Sequence, residues 1–332
     1  MHRANAPGYG ALVVSLDFEL LWGLRDQLPP DGGYYRERIL GARRAIPRML
    51  ALFEEFDVAA TWATVGCLFA TSRRELEDFY PAVLPTYANP QLAPIGSPVG
   101  SDEDDDPLHF APSLIAAIRR TPRQEIATHT FSHYYCLAPG QTKQAFQADL
   151  DSAIAIAKRH DVQLRSIVFP RNQVNPEYLD VLVKAGIRCY RGNERGRMYR
   201  AANEDVGALS AKRAARLADA YVNLGGTHLG KWEEVQEESG LCNVPSSRFL
   251  RPYSPRLRHL EPLRRRRIVE SMKTAARTHQ VFHLWWHPHN FGGDLDENMA
   301  LLRQILETFV ACRDMHGMRS MTMADVAEAV DG

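Results

Sequence analysis

Four apolar runs in this chain end in residues able to do chemistry. The first, Ala11–Leu16, is followed by Asp17-Phe18-Glu19, two carboxylates two positions apart that could both project from a strand mouth, or cap a helix. The run ending at Thr128 leads into His129-Thr130-Phe131-Ser132-His133. On a helical turn, two histidines four apart share one face at about the separation needed to hold a single metal ion; two polar surface histidines are the bland alternative. Ser166–Phe169 leads into Pro170-Arg171-Asn172-Gln173, where an arginine could orient a carboxylate or bridge two loops. Val281–Trp286 leads into His287-Pro288-His289-Asn290. A histidine held there is a reasonable proton donor, with a buried structural histidine as the alternative. Together the four sites supply metal ligands, a carboxylate base, an orienting arginine and a histidine acid, which is what hydrolysis by a metal-activated water needs.

These residues can meet only if the strands that carry them run parallel, because parallel barrels gather their chemistry at the carboxyl ends of the strands. The pattern predicts this arrangement. Short apolar runs at 11–16, 58–64, 126–128, 166–169, 187–190, 242–245 and 281–286 alternate with helical periodicity over 39–56, 141–160, 176–185, 263–279 and 295–315, and a short strand near 319–321 precedes a closing helix. Strand–helix alternation implies right-handed crossovers in a closed barrel or an open doubly wound sheet. No glycine-rich linker divides the chain, so residues 1–332 are read as a single domain, with a loop insertion at about 81–112. Its acidic stretch, residues 102–106, reads as a solvated loop, with a lid or partner contact as the lesser alternative. The run Arg264–Arg267 reads as a solvated helix face.

Bulk properties bound the function. The 332 residues are 45% hydrophobic and 24% charged, enough for a sizeable core. Lys+Arg and Asp+Glu are equal at 40 each, so no general attraction to nucleic acid or anionic membrane is expected. Five cysteines at irregular spacing argue for free thiols, not a disulfide framework. The N-terminus lacks an apolar leader and no stretch reaches the ~18 apolar residues of a span, so the expected location is cytoplasmic.

The ordered set Leu16-Asp17-Phe18-Glu19, His129-x-x-x-His133, Pro170-Arg171 and His287-Pro288 resembles the polysaccharide deacetylases, carbohydrate esterase family 4, over about residues 12–325. The resemblance implies a distorted (β/α)7, TIM-like barrel and one divalent metal, zinc first, held by a carboxylate and two histidines. It makes His129 and His133 ligands, Asp17 the general base, Arg171 its partner and His287 the general acid. Phe18 stands where many members carry a second aspartate, so Glu19 becomes the metal carboxylate, with the roles of Asp17 and Glu19 open to exchange. Trp22, Tyr134, Trp285 and Trp286 are candidates to include a sugar-stacking surface, with core packing the commoner role of large aromatics near strand ends, and His289 and Asn290 are further candidates to bind substrate. The implied activity is removal of an acyl group, acetyl first, from the amide nitrogen of an amino sugar. With the expected cytoplasmic location, the substrate would be a precursor of a surface polysaccharide or glycoconjugate. Hydrolysis of a formamido sugar or cyclic amide, or a non-catalytic glycan-binding barrel, are the alternatives.

Overall fold

The computed structural model describes residues 7–96, 98–196, 199 and 206–331. One parallel sheet runs through it. Its strands are β1 (Ala11–Phe18), β2 (Ala60–Thr64), β3 (Gln124–Thr128), β4 (Ser166–Ile167), β5 (Cys189–Tyr190), β6 (Cys242–Asn243), β7 (Arg248–Phe249), β8 (Val281–Trp286) and β9 (Arg319–Met321). Spatial order is β6-β5-β4-β3-β2-β1-β8-β7, with β9 beside the first half of β1. The edge strands β6 and β7 are consecutive in sequence, and the segment joining them closes the seam. Val244 N–H and Ser246 N–H donate to Tyr190 and Gly192 on one side, while Ser247 N–H and Leu250 N–H donate to His283 and Trp285 on the other. Taken as two halves of one bent strand, β6 and β7 leave seven barrel strands, the expected distorted (β/α)7 form.

The helices packed outside are α1 (Arg36–Glu55), α2 (Arg73–Asp78), α3 (Pro112–Arg120), α4 (Lys143–Arg159), α5 (Leu179–Lys184), α6 (Val206–Asp219), α7 (Glu261–Thr278), α8 (Leu295–His316) and α9 (Met323–Asp331). Their ends follow local chemistry. Thr142 caps α4 by accepting from Ala145 N–H, and α8 stops where Gly317 takes the left-handed conformation at φ 66°. No described helix is long and apolar enough to cross a membrane.

Strand periodicity divides the core in two. Leu12, Val14, Leu16 and Phe18 of β1 pack outward with Trp62, Ile126, Ile167, Phe282, Leu284 and Trp286 against the helices. Ala11 and Val13 face the barrel interior with Ala63, Val168, Cys189 and Val281, floored by Met323 and Val326 of α9. The same inward parity continues through Ser15 and Asp17 to Glu19 beyond β1, through His283 and Trp285 to His287 on β8, and through Glu125 and Ala127 to His129 on β3. The strands thus aim these side chains at one mouth.

Two surface expectations are corrected. The acidic stretch is not simply solvated: Glu103 pairs with Arg43 of α1 and accepts from Ser113, and Asp106 accepts from His109 and from Gly100 N–H. Nor is the arginine run a solvated face. Arg264 and Arg267 are buried, because helical spacing turns them toward Glu261 and Asp219 while Arg265 and Arg266 stay exposed. All five cysteines are buried free thiols.

Candidate active site

Glu19, His129 and His133 converge at the mouth of the barrel. One ligand-capable atom from each lies within 4.8 Å of the others, and all three residues are buried. Glu19 Oε2 stands 3.0 Å from His133 Nε2 and 3.4 Å from His129 Nε2. The two histidines do not meet on a helical turn, as their spacing suggested. They sit on a loop bent by left-handed residues, Thr130 at φ 63° and His133 at φ 56°, which brings the rings to 5.0 Å. Asp149 of α4 anchors that loop, accepting from Phe131 N–H at 2.7 Å and from the Ser132 hydroxyl. Burial pushes the Asp149 carboxyl up to about 6.

The donor set suits a divalent cation. His129 Nδ1–H donates to the Val168 carbonyl at 2.8 Å, which fixes the tautomer and leaves the Nε2 lone pair facing Glu19. That Nε2 is buried without a hydrogen-bond partner among the described residues, the state of an atom built to bind something else. Burial draws His133 down to about 4, so it is neutral. Burial alone would raise the Glu19 carboxyl, but the nearby His287, together with the contact to His133, holds it well below the usual carboxylate range. Two imidazoles and a carboxylate are a common zinc set.

Asp17 lies outside this cluster. Arg191 grips both its oxygens, Nη1 to Oδ1 at 2.6 Å and Nη2 to Oδ2 at 2.8 Å. Burial would raise the carboxyl, yet Arg191, followed by His129 and His287, outweighs it and keeps Asp17 ionised. Arg191 is itself fixed by a chain of one-way hydrogen bonds. His283 Nδ1–H donates to the Val244 carbonyl, so its Nε2 accepts from the Ser15 hydroxyl, whose oxygen in turn accepts from Arg191 Nη1 at 3.0 Å. His287 Nε2 stands 3.7 Å from Asp17 Oδ2 and 3.6 Å from Glu19 Oε1, at a partly open position beside Phe249 and Trp285.

Several expected positions fall elsewhere. Arg171 does not reach Asp17: left-handed backbone at Arg171 and Asn172 turns it away to pair with Asp26 and cover the Tyr135 ring. Asn172 is the residue of that turn that joins the site, accepting from Arg191 Nη2 at 2.9 Å. Arg191 was missed although it obeys the same rule as the rest, a polar residue straight after an apolar run. Trp22, Tyr134 and Trp286 are buried in the core and cannot form a sugar surface. Trp22 donates to the His109 carbonyl, Tyr134 to that of Thr142, and Trp286 stacks on Phe291. Trp285, on the inward parity of β8, is the tryptophan that lines the open cavity, together with Phe249. His289 is buried behind His287, with rings 5.0 Å apart, and Asn290 follows in the same turn, its N–H donating to the His287 carbonyl.

The polysaccharide deacetylase family model matches residues 31–190, just under half the chain. That span includes both histidine ligands but not Asp17, Glu19 or His287. Among curated proteins none matches the sequence. Among solved structures, a protein from Mycobacterium smegmatis assigned to the polysaccharide deacetylases superposes with a TM-score of 0.60 at 15% identity, covering 100% of this chain and 94% of that one. A protein from Pseudomonas aeruginosa PAO1 with the same assignment gives 0.52 at 10% identity, covering 96% and 89%. An allantoinase gives 0.53 at 10% identity, covering 99% and 93%. At such identities the likeness is one of fold.

Proposed function

This chain is related to the polysaccharide deacetylases, and from that we propose that it is a metal-dependent hydrolase that removes an acyl group, acetyl first, from the amide nitrogen of an amino sugar. The observation that carries the reading is the pairing of two distinct carboxylates at one mouth: Glu19 against two imidazoles, and Asp17 beside them, paired with Arg191 and outside the cluster. Glu19, His129 and His133 would hold a divalent ion, zinc by the donor set. Such an ion supplies Lewis acidity toward an acyl carbonyl and toward water.

The chain's own residues supply the rest. Asp17 accepts the proton of the attacking water. Its bidentate pair with Arg191 keeps it ionised and fixes its orientation, and the Ser15–His283 relay keeps Arg191 in place. His287, across from Asp17, donates a proton to the departing amine, which is a very poor leaving group as an anion. Trp285 and Phe249 flank His287 and offer ring faces to the sugar. The five buried free thiols support a reducing compartment, and with it an intracellular precursor as substrate.

The test is a screen of zinc-loaded protein for acetate or formate release from N-acylated amino sugars, repeated with variants. His133→Ala should lose metal and activity together. His287→Ala should keep the metal and slow turnover by about 10²–10⁴-fold. Full activity in both the His287→Ala and Asp17→Asn proteins would overturn the mechanism.

A further inference from the structure

Beside the reacting residues lies a second feature that the hydrolytic chemistry leaves unused. A cavity of about 260 Å³ opens from Trp285 and Phe249, and its far wall is built of arginines. Among the described residues the cations that line it outnumber the carboxylates. Arg248 is matched by Asp219 at 3.1 Å, Arg171 by Asp26, and Glu194, the one carboxylate in the described lining, accepts from the Trp285 indole N–H at 2.9 Å. Arg251 and Arg213, which also line the cavity, have no carboxylate partner among the described residues.

Arg251 is the informative member. It is half-buried, its guanidinium 5.9 Å from the Phe249 ring, and His287 meets the same ring at 5.9 Å between centroids. The proposed proton donor and the uncompensated cation thus share one aromatic neighbour. Burying a guanidinium without a counter-charge is unfavourable, and burial does lower its pKa. An arginine kept in that state beside a cavity is suited to an anion brought by a ligand. Beyond Arg251 a second cavity, about 400 Å³ and lined by Tyr34 and Tyr35, leaves room for whatever the anion is attached to.

We propose that the acylated amino sugar is bound as a phosphoryl ester, its phosphate held by Arg251 with Arg213 while the sugar lies on Trp285 and Phe249. This rests on the hydrolase reading above. A nucleoside diphosphate and a lipid phosphate offer the same chemistry to these arginines.

Titration of the zinc-loaded protein with inorganic phosphate tests the site directly. Arg251→Gln should weaken phosphate binding by roughly ten- to a hundredfold, the worth of a charge-assisted hydrogen bond, and the exposed Arg213→Gln by less. Glu19→Gln should leave it unchanged. Binding lost with Glu19→Gln and kept with Arg251→Gln, or no binding at all, overturns the proposal. In the activity arm, N-acetylglucosamine is compared with its 1-phosphate, its uridine diphosphate ester and its polyprenyl phosphate ester. Higher kcat/KM for any phosphorylated form, abolished by Arg251→Gln, supports the proposal, and the preferred form identifies the carrier. Equal rates for neutral and phosphorylated sugars overturn it while the hydrolase reading stands. Arg251-dependent phosphate binding with no acid released from any sugar upholds the anion site and overturns the hydrolase reading.

Discussion

Gly23→Ala should empty the metal centre without touching a ligand. Glu19 precedes a turn of 3-10 helix, Leu20–Gly23, and its side chain folds back over the last residue of that turn. A Cβ built on Gly23 would lie 2.1 Å from Glu19 Cδ and 2.3 and 2.4 Å from its two oxygens. Ordinary contact between such atoms begins near ~3.5 Å, so the carboxylate must retreat by about 1 Å or more. Gly23 does not need the left-handed backbone that excludes alanine, and only a flexible side-chain end stands in the way. The metal-free fold should therefore keep its stability to within about 1 kcal/mol. Coordination is far less forgiving, tolerating roughly ±0.2 Å. Zinc affinity, read by chelator competition alongside urea unfolding, should fall at least ten- to a hundredfold, the range for disturbed supporting residues. A Gly23→Ala protein that binds zinc as tightly as wild type would refute the assignment of Glu19 as a ligand in this conformation.

Three further outcomes are expected. Arg191→Leu leaves Asp17 buried and unpaired, costing about 3–5 kcal/mol in urea unfolding, and adding Asp17→Asn should recover much of it; equal losses in single and double variants would mean the pair is not coupled. Asp149 titrates near 6 when folded and near ~3.9 when unfolded, so its term favours the fold fully below about pH 4 and is lost as pH rises through about 6. Relative to Asp149→Asn, whose amide oxygen can still accept from Phe131 N–H, wild type should lose about 2 kcal/mol between pH 4 and 7; parallel stability profiles would contradict this. Trp22→Ala should cost about 3–5 kcal/mol as a core truncation, whereas Trp285→Ala should cost less and raise KM for the sugar; melts and kinetics that rank the two alike would contradict the core and cavity placements.

How far the sequence could be read depended on strand length and parity. Val281–Trp286 was legible to the residue because five apolar residues, interrupted only by His283, are bounded by Gln280 and His287. The ligand histidines were legible as a spacing, but their loop was not: it is made by left-handed turns at Thr130 and His133 and anchored by Asp149, sixteen residues beyond His133. Arg191 was overlooked although the run 187–190 stops just before it: β5 is only two residues long, and Arg188 inside the run leaves no long apolar stretch to single out the arginine that follows. Which tryptophans belong to the core and which to the cavity could not be told without parity. Neighbours on one strand point to opposite faces, so once His283 is placed inward, Trp285 faces the cavity and Trp286 the helices. The seam between β6 and β7 had no local signal, because it is closed by hydrogen bonds to strands far away in the chain.

The most direct test of the central claim is turnover of an acylated amino sugar by Asp17→Asn at a measured zinc content. Asp17 lies outside the Glu19–His129–His133 cluster but on the proposed path of the proton, so the variant should carry one ion per chain, as wild type should, and release acid at least about a hundredfold more slowly. Loss of the ion from Asp17→Asn together with its retention in Glu19→Gln would show that the two acids have exchanged roles. Unimpaired acid release from a zinc-loaded Asp17→Asn protein would contradict the mechanism outright.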